Sequence, residues 1–163
     1  MRNPQSIESK IFELSELKRQ VNRWRFLGKS IAFTNGCFDI LHQGHIFSLS
    51  QAAREADILI VGLNADSSVQ KLKGRDRPVN DQRSRSLILA SLVMTDAIIL
   101  FEEETPQNLI TSLLPDVIVK GGDYTVEQVV GSREVIANGG RVVINPIVAG
   151  YSTTVLIDKI QRL

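Results

Sequence analysis

Both histidines of this chain lie in one short stretch, Thr34-Asn35-Gly36-Cys37-Phe38-Asp39-Ile40-Leu41-His42-Gln43-Gly44-His45. At ordinary composition, a His-x-Gly-His match in a chain of this length has a chance well under ~1%. Two imidazoles three positions apart share one face if a helix begins there. Gly44 between them lets a ligand approach the backbone closely. The first amides of that helix have no intrahelical acceptor. Imidazoles set over free amides make an anion site, most simply one for phosphates. The plainer alternative is a turn holding two satisfied histidines.

Such a loop needs elements that hold its two ends. The spacing of Ile7, Ile11, Leu14, Leu17 and Val21 predicts a helix over residues 6–26, ended by Gly28. Residues 30–35 read as a buried strand leading into the loop. A helix over 44–56 follows, with Ile46, Leu49, Ala52, Ala53 and Ala56 on one side. Residues 57–63 form the second strand, and a polar stretch runs from Asn64 to Arg77. Asp81 is placed to cap the next helix. Residues 96–101 make the third strand, and Thr105-Pro106 opens a helix that Pro115 stops. Strands at 117–119 and 141–144 flank a helix over 132–137, and Ser152 or Thr153 caps a last helix to Ile160.

The strands are continuous apolar runs alternating with helices. This predicts an α/β fold, a Rossmann-like, doubly wound parallel five-stranded sheet with helices on both faces. Ligands bind such sheets beyond the carboxyl ends of the strands, where the strand order reverses. The loops after Thr34, Leu63, Phe101, Val119 and Ile144 are therefore the ones to search. Lys120-Gly121-Gly122-Asp123 is one of them. Its glycines free the backbone to approach a base or ribose, and Asp123 can accept from hydroxyls; a bare turn is the alternative. Ser152-Thr153-Thr154 offers hydroxyls and amides to β- and γ-phosphates, though capping explains it nearly as well.

The 163 residues are one ordinary domain by length. A composition 43% hydrophobic and 23% charged excludes a disordered chain. Nineteen Lys and Arg against eighteen Asp and Glu leave +1, so no electrostatic case exists for a nucleic-acid or membrane-surface partner. One cysteine excludes an internal disulfide, and with two histidines no protein metal site is expected. Cys37 reads as a small buried residue beside the site. No run approaches the ~20 apolar residues of a membrane span, and no signal-peptide core is present. A cytoplasmic setting is expected.

The stretch Gly36-x-Phe38-Asp39-x-x-His42-x-Gly44-His45 resembles the signature of the HxGH nucleotidyltransferases, the cytidylyltransferase-like group. Leu72-Lys73-Gly74, Arg77-Pro78-Val79-Asn80, Lys120-Gly121-Gly122-Asp123-Tyr124 and Ala137-Asn138-Gly139-Gly140 resemble its heptose-1-phosphate adenylyltransferase branch. That branch is often the carboxyl-terminal half of a bifunctional heptose kinase/adenylyltransferase, so a separate heptose kinase is implied. The resemblance runs from about Ile31 to the end. It implies residues 29–163 as a nucleotidyltransferase domain, with residues 1–28 an N-terminal helix packed on it or on a second subunit.

The resemblance implies that His42 and His45 hold phosphates and stabilise charge at the reacting α-phosphorus. Lys71 and Lys73 match a Lys-x-Lys pair of related cytidylyltransferases, Lys73 with a catalytic part; a solvated loop is the alternative. Arg85 matches an arginine of a Glu-x-Arg stretch whose acidic position here is Arg83. With Thr34, Asn35, Gly36, Phe38, Gly44, Gly121, Gly122, Asp123, Ser152 and Thr153, Lys71 and Arg85 would hold the nucleotide. Asp39, Asn64, Asp66 and Lys120 would meet the sugar phosphate, although Asp39 can instead orient its own loop and Asn64 or Asp66 can cap a helix. The cytidine branch carries an arginine where this chain has Ile147. ATP with Mg²⁺, heptose 1-phosphate as acceptor, and a homodimer or higher homo-oligomer follow from the resemblance. A cytidylyltransferase for glycerol 3-phosphate or a related alcohol phosphate is the nearest rival. A non-catalytic nucleotide-binding module is a further one. A redox dinucleotide domain is disfavoured, because no Gly-x-Gly-x-x-Gly follows the first strand.

Overall fold

A computed structural model describes residues 6–148 and 150–162; residues 1–5 of the expected amino-terminal segment lie outside them. After a short 3₁₀ turn at Glu8–Lys10 come β1 (Ile11–Phe12), α1 (Leu14–Phe26), β2 (Ile31–Gly36), α2 (Gln43–Ala53) and β3 (Ile58–Asn64). They are followed by α3 (Asp66–Lys73), α4 (Gln82–Ala90), β4 (Ala97–Phe101), α5 (Gln107–Leu113) and β5 (Val117–Gly121). A 3₁₀ turn at Val126–Gln128 precedes α6 (Ser132–Ala137), β6 (Arg141–Asn145) and α7 (Thr153–Gln161).

The strands form one sheet in the order β1-β4-β3-β2-β5-β6, parallel at every pairing. The order reverses between β2 and β5, so the carboxyl ends at Gly36 and Gly121 border the crevice where such folds bind ligands. Successive strand residues point to opposite faces, and both faces are buried. Ile31, Phe33, Ile60 and Ile99 meet α1, α5 and α6 through Leu17, Val21, Leu109, Ile110, Leu113 and Val135. Ala32, Leu59, Val61 and Ile98 meet α2 and α4 through Leu49, Ala52, Leu89 and Ala90. Strands with two buried faces read as unbroken apolar runs.

The opposite end of the sheet is fastened by aspartates preceding three strands. Asp116 accepts from the Ile31 amide at 2.7 Å, and Asp96 accepts from the Leu59 amide at 2.8 Å. Asp57 accepts from the Ser30 amide at 3.0 Å and hydroxyl at 2.8 Å. With Lys29 beside it as well, its carboxyl is pulled down to about 2.

The sheet has six strands where five are expected, because the predicted helix over 6–26 is a 3₁₀ turn, β1 and α1. Ile11 and Phe12 pair with Ile98 and Ile99, covering the outer edge of β4. Ile7 and Ile11 pack on one face of the sheet, whereas Phe12, Leu14, Leu17 and Val21 pack on the other. Their helix-like spacing is thus two half-patterns meeting at a strand. The polar stretch after Asn64 contains α3, whose only buried residues are Ser68 and Val69. Asp81 caps α4 as expected, accepting from the Ser84 amide at 2.7 Å. No helix among the described residues is long and apolar enough to cross a membrane.

Candidate active site

β2 ends at Gly36, and the chain turns through Cys37–Leu41 into α2, with His42 at its N-cap position. The His42 carbonyl accepts from the His45 and Ile46 amides at 2.9 and 3.2 Å, which leaves the earlier amides of α2 free. The His42 and His45 rings stack at 3.8 Å between centroids and 22° between planes. Phe38 backs His45 at 5.3 Å, and its φ of 43 is a strained value for a bulky residue. A Cβ on Gly44 would lie 3.0 Å from the His42 ring, so glycine is what lets His42 fold back over the helix start. The Nδ1 atoms of both histidines are buried, with no hydrogen-bond partner among the described residues. Such atoms are rare in folded proteins.

Beneath this loop lies a buried charge network. Asp39 is 2% exposed and accepts from Arg77 Nε at 2.7 Å and from the Val79 and Asn80 amides at 2.9 Å. Burial pushes its carboxyl up, but those amides and Arg77 more than offset this and hold it below the usual range. Arg85 is 1% exposed. It donates from Nε to the Asn80 carbonyl, from Nη1 to the Cys37 and Asn64 carbonyls, and from Nη2 to Asp66 Oδ1 at 2.7 Å. Arg85, its side chain fully buried, is a tie under the site rather than a group facing the nucleotide, which corrects that expectation. Asp39 has its oxygens engaged by the 77–80 loop, which it orients, and it lines the cleft that also holds both histidines. Asp66 is likewise engaged by Arg85, although its side chain stays 32% exposed.

Three clefts adjoin around Cys37, which is partly exposed rather than buried. The first, about 250 Å³, runs between the histidines and the end of β5, along Thr34, Gly36, Gly44, Gly121 and Ile147. The second, about 360 Å³, lies across β2, with Asn35, Asn64, Lys73, Lys120 and Tyr124. The third, about 370 Å³, brings Lys73, Arg77, Ser152 and Thr153 opposite both histidines. Lys120 stands between the first two, donating to Asn35 Oδ1 at 3.3 Å with its ammonium 5.7 Å from the Tyr124 ring centre. Burial pushes its pKa down.

The structure thus brings together most of the expected residues, but not all. Lys71 lines a separate cleft beside Phe12 and Glu103. Asp123 is exposed, beyond Gly122, whose φ of 117 favours glycine. Among the described residues Arg83 reaches only Glu8, at 3.8 Å, both side chains well exposed, a contact worth little. Arg77 and Tyr151 are additional lining residues. Nothing local in the sequence marks Tyr151, and the partner of Arg77 lies 38 positions away.

Burial and the neighbouring His42 lower the His45 imidazole to about 4, against a smaller upward pull from the Ile40 carbonyl and Asp39. Burial lowers His42 too. Both rings are therefore neutral near pH 7 in the free protein. Because the unfolded chain takes up a proton near pH ~6.5 and the folded site resists it, stability rises with pH through this window. The stabilising difference is full above the unfolded value and is lost as pH falls toward about 4. The thermal midpoint measured from pH 4 to 7 is expected to climb, and His45→Gln is expected to flatten that climb.

Residues 33–159 match the cytidylyltransferase-like family. The chain is 52% identical over 154 residues to the bifunctional protein HldE of Rhodospirillum rubrum, covering 94% of this chain and 31% of that one. It is 54% identical over 140 residues to the bifunctional protein HldE of Hyphomonas neptunium, covering 86% and 29%. The chain therefore spans about a third of the length of the curated relatives it matches. A lipopolysaccharide core biosynthesis protein from Thermoplasma volcanium GSS1 has a TM-score of 0.61 at 28% identity, covering 74% of this chain and 98% of that one. Pantoate-beta-alanine ligase from Francisella tularensis has a TM-score of 0.60 at 14% identity, covering 94% and 78%, a likeness of fold alone. A match that runs from within β2 to within α7, on a sheet that sets its paired histidines where the strand order reverses, makes this chain a member of the cytidylyltransferase-like family.

Proposed function

We propose that the chain is an adenylyltransferase that moves AMP from ATP to D-glycero-β-D-manno-heptose 1-phosphate, giving ADP-heptose for the lipopolysaccharide inner core. The observation that carries this reading is the stacked histidine pair with two unpartnered Nδ1 atoms, set at the free amides of α2 and flanked by adjoining clefts. The HldE likeness supports heptose 1-phosphate and ATP as substrates. The base and ribose would lie along Thr34, Gly36 and Gly121, with the β- and γ-phosphates toward Ser152 and Thr153. The sugar phosphate would enter beside Asn64 and Lys120.

A sugar-phosphate oxygen attacks the α-phosphorus in line. The bond from that phosphorus to the bridging oxygen breaks, and pyrophosphate leaves with the electron pair. The attacking oxygen is already ionised, so no strong base is required. The site positions the reactants and stabilises charge. Each neutral imidazole has one N–H to donate to a phosphoryl oxygen. Phosphate charge beside the rings raises their proton affinity, opposing the effect of burial. Among the described residues, no three His, Cys, Asp or Glu side chains gather as metal ligands. Mg²⁺, when bound, would be held mostly by the phosphates and would neutralise part of their charge.

Lys73 stands on the rim shared by two clefts, at the end of α3 before Gly74. Lys73→Ala is expected to lower turnover while leaving ATP affinity nearly unchanged, as for a group that engages only when charge develops. Single-turnover rates and calorimetric ATP titration check this.

The test of the function is pyrophosphate release from ATP and from CTP with heptose 1-phosphate and with glycerol 3-phosphate. ATP with heptose 1-phosphate is expected to exceed CTP by about tenfold or more in kcat/KM, or about 1.4 kcal/mol. A preference for CTP with glycerol 3-phosphate would give the chain to the cytidylyltransferase reading. Residues 29–163 are proposed as the nucleotidyltransferase domain, with residues 1–28 as an addition to it. A cytoplasmic homo-oligomer is proposed as the working form, supported by the exposed Phe26 and Leu27 at the end of α1.

A further inference from the structure

Arg77 lines the third cleft from the Arg77-Pro78-Val79-Asn80 segment before α4. Its Nε donates to Asp39 Oδ2 at 2.7 Å, while Asp39 is itself fixed by the Val79 and Asn80 amides. The Arg77 side chain is 17% exposed and that of Asp39 1%. Among the described residues, Nη1 and Nη2 of Arg77 donate to no protein acceptor, although the side chain as a whole is mostly buried. The same cleft is lined by His42, His45 and Lys73, with Ser152 and Thr153 at the start of α7. A carboxylate facing an arginine usually takes two points of its fork. Here only Nε is held, so Asp39 fixes the side chain's direction and leaves the outer pair of nitrogens unused.

We propose that Arg77 is a phosphate-binding residue of this site, its outer nitrogens holding the two phosphates that leave as pyrophosphate. The inference rests on the nucleotidyl-transfer reading above. When the bond between the α-phosphorus and the bridging oxygen breaks, the electron pair and its charge pass to the pyrophosphate. A planar guanidinium presents parallel N–H donors that match two oxygens of that group. Lys73, on the same cleft, supplies a mobile point charge. Arg77, pinned by Asp39, supplies fixed direction.

Two substitutions separate binding from support. Arg77→Gln keeps an N–H donor for Asp39 but removes the charge and the fork. Arg77→Lys keeps the charge and loses the fork. Calorimetric titration with inorganic pyrophosphate, which requires no turnover, is the primary measurement. Arg77→Gln is expected to weaken pyrophosphate by about ten- to a hundredfold, the size of a lost hydrogen bond to a charged group. Arg77→Lys is expected to fall between it and the unaltered protein. Pyrophosphate binding in Arg77→Gln equal to that of the unaltered protein would overturn the proposal. So would unchanged pyrophosphate binding accompanied by a raised KM for heptose 1-phosphate, which would assign the guanidinium to the sugar phosphate. If the unaltered protein binds pyrophosphate but releases none from ATP with any acceptor, the functional reading fails while the titrations still decide Arg77.

Discussion

Alanine in place of His42 or of His45 is expected to lower turnover by about a hundredfold or more, the scale of losing one donor aimed at developing charge. The geometry argues that both matter. The rings stack at 3.8 Å and both line the clefts that meet at Cys37. Little of the fold depends on them, because His42 lies at a helix start on the cleft and the buried residues of α2 are Leu49 and Ala52. Steady-state pyrophosphate release, with circular dichroism as the folding control, is the measurement. A folded double variant with near-normal turnover would exclude the proposed mechanism.

The other large effect is expected at Arg85, on stability. This side chain joins the end of β3, the turn after β2, the start of α3 and the loop before α4 through the acceptors of Asn64, Cys37, Asp66 and Asn80. Arg85→Met would leave the Asp66 carboxylate and three carbonyls without their donor. Leaving a buried carbonyl without its donor costs about 1–3 kcal/mol, and the part-exposed Asp66 carboxylate adds less. The urea midpoint should fall accordingly with little change in slope. Arg85→Lys should recover only a small part, because a single ammonium cannot reach acceptors spread around a planar fork. A midpoint unchanged in Arg85→Met would mean the network adds nothing to the fold.

The same residues show why the chain is legible in some places and not in others. Strands such as Ile58–Asn64 are buried on both faces and announce themselves as apolar runs. The paired histidines are legible because their spacing is itself the geometry. Arg85 and Asp39 are different. All but one of their partners lie 19 to 48 positions away, and a lone charge carries no sign of what it will meet. The start of the chain misleads for another reason. Ile7, Ile11 and Leu14 keep helical spacing, yet they are divided between opposite faces of the sheet by the two residues of β1.

That two-residue strand also bears on how the molecule avoids its own copies. β4 reads Ala-Ile-Ile-Leu-Phe, uncharged and free of proline, the composition from which cross-β stacks are built. As an open border it would offer a row of unpaired amides and carbonyls to another chain. β1 occupies the Ile98 and Ile99 positions of that border and is too short to extend the sheet itself. Lys10 and Glu13 bracket it with opposite charges, and the Lys10 ammonium is drawn onto the Leu92 and Thr95 carbonyls at 3.2 and 2.7 Å. The segment before α1 therefore covers part of a border that would otherwise be open to another chain.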